Sequence, residues 1–100
     1  MIKAIFFNQG DLLTGFEVEG HGGGEEGTDI VCAAVSSAVY MTANTVTEIL
    51  SVDADIKVED GYLYFKVQPL SETQAILKGL QLHLISLSKD YPKNIKVTNI

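Results

Sequence analysis

The sequence predicts an α+β fold: an antiparallel sheet in ββαββαβ order with two helices packed on one face. Three observations lead there. Paired stretches alternate apolar and polar residues around tight turns, as half-buried antiparallel strands do. Two longer stretches repeat apolar residues at threes and fours, the stripe of a helix lying on a core. The chain has 100 residues, 46% of them apolar, enough for one hydrophobic core, so residues 1–100 read as a single domain.

The elements follow in order. "MIKAIFFN" is rich in β-formers, and Asn8-Gln9-Gly10-Asp11 marks a turn. "LLTGFEVEGH" returns as a second strand, with Phe16 and Val18 on one face and Glu17 and Glu19 on the other. After a glycine-rich run the period changes. Thr28 suits an N-cap and Asp29 a first helical turn. Val31, Val35, Ala38, Thr42, Val46 and Ile49 then form a helical stripe that ends near Leu50.

"ADIKVEDGYLYFKVQP" reads as a hairpin. Ile56 and Val58 alternate with Lys57 and Glu59, and Leu63, Phe65 and Val67 alternate on the return. Asp60-Gly61 is expected to form a type I′ turn with both residues at positive φ. Tyr62 and Tyr64 fall on the outer face, where they read as sheet-stabilising pairs. Ser71 and Gln74 have the spacing of a capping box. Ile76, Leu77, Leu80, Leu84 and Leu87 stripe a second helix that stops before Pro92. Its His83 reads as a packed or surface histidine, and "NIKVTNI" closes the chain as a last strand.

Composition narrows the function. The formal net charge is −6 and the isoelectric point about 4.6. No Lys/Arg cluster offers a phosphate footprint, so direct nucleic-acid binding is not expected. A basic protein or peptide is the more natural partner. The N-terminus lacks a signal-peptide pattern, and no stretch reaches the roughly 18 apolar residues of a membrane span. A single cysteine forms neither an internal disulfide nor a Cys-rich zinc site. The expectation is a cytoplasmic protein with a free thiol, no membrane contact and no cofactor.

The chemistry-bearing stretch is "GHGGGEEGTDIVCAA", Gly20 to Ala34. With Thr28 as N-cap, Cys32 falls at about the fourth helical position, near the positive end of the helix dipole, which favours the nucleophilic thiolate. Asp29 opposes this by charge. His21 ends the second strand, and the ten residues 22 to 31 between it and Cys32 give ample reach for a Cys-His pair at about 3–4 Å. Ser36 lies one turn beyond Cys32, and helix-start amides could hold an oxyanion.

Other readings stand beside this one. A lone Cys in an Ala/Val helix also reads as a small buried hydrophobe, which would make the chain a non-catalytic protein-binding module with Cys32 as a core residue. A redox-sensing thiol would need a second thiol from outside. A phosphate cradle lacks its lysine, and Glu25 and Glu26 would repel an anion. No metal-ligand spacing is present. The residues alone leave nucleophile and core cysteine both open.

A resemblance adds to this. "GHGGGEEGTDIVCAAVSSA" resembles the signature of the ribosomal-processing cysteine protease family, Prp, in its Gly-His pair, glycine-containing loop and Asp-Ile-Val-Cys-Ala-Ala-Val-Ser run. The likeness extends along the whole chain, through the "DGYL" hairpin and the "YPKNIKV" ending. It implies a homodimeric α+β protease that removes the N-terminal extension, ending near aromatic residues, from the precursor of large-subunit ribosomal protein L twenty-seven. By position Cys32 is then the nucleophile and His21 the general base. Gly20, Asp29 and Ser36 take supporting or substrate-binding places, with no metal or other cofactor. Gly22, Gly23, Gly24 and Gly27 would form a mobile loop over the peptide. The triple glycine after His21 departs from the family, which usually carries a small non-glycine residue there.

Overall fold

The computed structural model describes residues 1–20 and 28–100. Its elements are β1 (Ile2–Gln9), β2 (Leu12–Glu19), α1 (Thr28–Asn44) continued by a π-helical turn (Thr45–Ile49), β3 (Asp55–Glu59), β4 (Tyr62–Lys66), a 3₁₀ turn (Ser71–Thr73), α2 (Gln74–Asp90) and β5 (Ile95–Asn99). The ββαββαβ order is as the periodicities indicate. The strands form one sheet in the order β3-β4-β2-β1-β5.

One expectation about the sheet is corrected. The pairs β1–β2, β2–β4 and β3–β4 are antiparallel, but β5 runs parallel to β1. The sheet is therefore mixed. The cause is the α2 crossover: the helix carries the chain from β4 past β2 and β1 to the far edge, and a helical crossover returns it in the same direction.

One face of the sheet carries both helices. Its centre is a row of three phenylalanines from paired positions on adjacent strands, Phe6 opposite Phe16 and Phe16 opposite Phe65. Ring centroids are 6.0 Å and 5.2 Å apart, and all three rings are fully buried. Val31, Val35, Val39 and Val46 pack onto this row from α1 and its π turn, and Leu77, Leu80 and Leu84 from α2. The opposite face is held by side-chain pairs. Phe7 meets Tyr64 at 5.7 Å, and the Tyr62 hydroxyl donates to Glu17 Oε2 at 3.0 Å. Partial desolvation, and after it the bond to Glu17, raise the Tyr62 phenol above its ordinary pKa of 10.0.

Several local expectations change. α1 already includes Thr28, so its start lies at least one residue earlier than an N-cap at Thr28 requires. Ile49 is not part of the buried stripe but 76% exposed. The π turn's i→i+5 pattern, seen in Leu50 N–H donating to Thr45 O at 2.9 Å, shifts the helical phase just before it. Ile30–Ile49 proves long and apolar enough to cross a membrane by length and composition, contrary to expectation. Its valine stripe is spent on the sheet instead. In the β3–β4 turn only Gly61 has positive φ, +70°, so the turn is not type I′.

Ser71 and Gln74 form no capping box. The Gln74 side chain reaches across to β2, where its Oε1 accepts from Leu13 N–H at 2.8 Å and its Nε2 donates to Leu13 O at 2.9 Å. This buried clamp ties the start of α2 to the sheet. At the other end of β2, Gly20 N–H donates to Gly61 O at 2.9 Å. Gly20 has φ +126°, and a Cβ there would collide with Met1 O and lie 2.9 Å from Ile2 Cα.

Two stability outcomes follow. Gln74→Ala leaves the buried Leu13 N–H and C=O without partners, and should cost about 2–4 kcal/mol in urea denaturation. Gly20→Ala adds backbone strain and a steric clash between β1 and β2, and should cost about 2–4 kcal/mol by the same measurement.

Candidate active site

α1 presents two adjacent stripes. Val31, Val35, Val39 and Val46 are buried, which fixes the rotation of the helix. The residues one step on, Cys32, Ser36 and Tyr40, recur every four positions and so share the neighbouring face. All three line a cleft between α1 and the tip of the β3–β4 hairpin. Gly20 and Val18 of the β2 end, Gly61 of the turn and Leu63 of β4 form the opposite side.

Cys32 is half-buried, the free thiol of this cleft, and packs against the edge of the core. It is therefore not a sealed core residue. Because α1 begins by Thr28, Cys32 is at least the fifth helical residue rather than the fourth. The unpaired amides belong to the first turn, below it. The Cα–Cβ bond of a helical residue tilts toward the N-terminus, so the sulfur leans back over that turn.

Ser36 is exposed at the cleft rim, one turn farther along. Gly20 lines the same cleft from the end of β2 and is pinned by its bond to Gly61. Asp29 belongs to α1, but its side chain is not among those described. His21, Gly22, Gly23, Gly24 and Gly27 lie outside the described residues. The structure thus brings Gly20, Cys32 and Ser36 to one cleft. His21 follows Gly20 directly in the chain.

Sequence reasoning missed much of the cleft. Tyr40 was within reach of it, since the spacing 32, 36, 40 continues one helical face. Val18, Leu63 and the Asp60-Gly61 tip join only through tertiary packing. The cleft volume is about 250 Å³, below the roughly 300–1,000 Å³ of a small-molecule pocket. It accommodates one or two side chains of a longer chain better than a whole cofactor. Among the described residues, no three His, Cys, Asp or Glu side chains group as metal ligands would.

Comparison with known proteins identifies the family. The family "Cysteine protease Prp" matches residues 1–96. The ribosomal processing cysteine protease Prp of Bacillus subtilis is 30% identical, the match covering 98% of this chain and 96% of the relative. The protein of the same name from Staphylococcus aureus is 29% identical over 93% and 92% of the two chains. In solved structures, the S. aureus ribosomal processing protease Prp in complex with a substrate peptide superposes with a TM-score of 0.91, at 26% identity and with both chains fully covered. SMU.848 from Streptococcus mutans shares the fold, with a TM-score of 0.88 at 24% identity over all of this chain and 97% of that one. The non-catalytic reading falls away: the chain belongs to the cysteine protease Prp family and is a cysteine protease.

Proposed function

We propose that this protein removes the N-terminal extension from the precursor of large-subunit ribosomal protein L twenty-seven, with Cys32 as nucleophile and His21 as general acid and base. The observation that carries the reading is the cleft itself. Cys32 lines one wall, and Gly20, the residue before His21, is fixed on the other. The S. aureus relative has been seen with a substrate peptide and with a covalently linked product peptide, which supports a covalent route.

In this reading the Cys32 thiolate attacks the scissile carbonyl, forming the C–S bond and a tetrahedral oxyanion that first-turn amides stabilise. His21 gives its proton to the departing amine as the C–N bond breaks. The same imidazole then takes a proton from water, which attacks the thioester and releases the extension as a carboxylate. Ser36 sits at the rim where its hydroxyl would meet the peptide backbone. Asp29, next to the first-turn amides, serves to orient the dyad or contact substrate. The net charge of −6 suits a basic ribosomal substrate. The reaction belongs in the cytoplasm, where thiols stay reduced.

The protein would act as a homodimer. The edge strand β3 supports this: Ile56 and Val58, opposite the core-facing Phe65 and Leu63, are 44% and 54% exposed. An uncovered apolar edge strand is a surface that proteins ordinarily cover or disarm.

Two outcomes test the proposal. A peptide spanning the extension junction should be cut by the wild type. Cys32→Ala and His21→Ala should each lose at least about a thousandfold in kcat/KM, read by chromatography. An uncut peptide, or equal cutting by Cys32→Ala, would contradict it. Light scattering should give twice the 10.8 kDa chain mass, and Val58→Lys should shift the protein toward monomer.

A further inference from the structure

The cleft extends well past the thiol. Cys32 and Tyr40 lie on one face of α1 eight residues apart, about 12 Å along the axis. An extended peptide advances about 3.3 Å per residue. That axial separation corresponds to three or four residues of an extended bound substrate. Between them the floor is apolar: Val35, Val39 and Leu63 line the cleft and are 3%, 2% and 6% exposed.

Tyr40, one more turn along the helix from Ser36, also lines the cleft while remaining 47% exposed. Among the described residues its ring stacks on no other aromatic and its hydroxyl has no hydrogen-bond partner. A half-exposed ring beside a small apolar depression offers area that a bound side chain would cover, and such rings contribute heavily to recognition. The volume of about 250 Å³ limits what enters to one or two side chains.

Building on the proteolytic reading above, we propose that Tyr40 is a specificity-determining residue that walls a subsite for one large apolar side chain of the peptide, three or four residues from the scissile bond. Cys32 sets where the chain is cut, and the Tyr40 subsite sets which register of an extended peptide is held for cutting. Selectivity for the substrate then resides partly in a side chain remote from the reacting carbonyl.

The test couples enzyme and peptide changes. Peptides spanning the extension junction, each with one residue changed to Ala, are assayed with wild type, Tyr40→Ala and Tyr40→Phe, and cut sites are mapped by mass spectrometry. Removing a large apolar side chain three or four residues from the cut should lower wild-type kcat/KM about tenfold or more. Tyr40→Ala should lose a similar factor on the parent peptide, but less than about twofold on that Ala-substituted peptide. Tyr40→Phe should behave as wild type, and thermal melting should show Tyr40→Ala folded. An equal loss by Tyr40→Ala on every peptide, or coupling to a different position, would overturn the inference while leaving the protease reading intact. Absence of wild-type cleavage of any peptide would overturn both.

Discussion

The rotation of α1 about its own axis is the constraint on which the site depends. Val31, Val35, Val39 and Val46 are each exposed by 3% or less. Burying a valine contributes about 1.5 kcal/mol or more, so the four together supply about 6 kcal/mol. That is comparable to the entire net stability of a small domain. Turning the helix by one residue, about 100°, would forfeit it. Cys32, Ser36 and Tyr40 therefore occupy their shared face because the valines beside them have no acceptable alternative.

The sheet supplies the other wall by an equally local device. The Phe6–Phe16–Phe65 row sets β1, β2 and β4 in register. The Gly20–Gly61 hydrogen bond then draws the end of β2 onto the hairpin tip. Gly20 succeeds there because it has no Cβ to strike Met1 O. The chain thus leaves β2 toward His21 from a backbone point held at the cleft that Cys32 also lines. Core packing orients the face that carries Cys32, and a strand-end clamp fixes Gly20 beside the hairpin tip.

What was legible in the sequence is what depends on local periodicity. The two helical stripes, the Ile56 to Val67 hairpin and the β1–β2 pair could all be read from spacing alone, whereas spacing left Cys32 open between nucleophile and core cysteine. Features set by distant partners could not. Gln74 suggests a cap by its spacing from Ser71, but its partner Leu13 lies 61 residues away. The parallel pairing of β5 depends on where the α2 crossover lands. Ile49 fits the helical period and leaves it only because a π turn intervenes. The opposite cleft wall, with Leu63 and the hairpin tip, exists only once the sheet has formed. His21 is a candidate by its place at the strand end within reach of Cys32 and by family likeness; residues 21–27 lie outside the described structure.

The central claim is that peptide cleavage passes through a covalent bond to Cys32. Acid-quenching the enzyme during turnover of a junction peptide, then digesting and weighing the fragments, tests it most directly. The fragment containing Cys32 should carry the mass of the acylating N-terminal part of the peptide, and this adduct should decay as product appears. Sustained turnover with no adduct on Cys32, or with the acyl group on another residue, would contradict it.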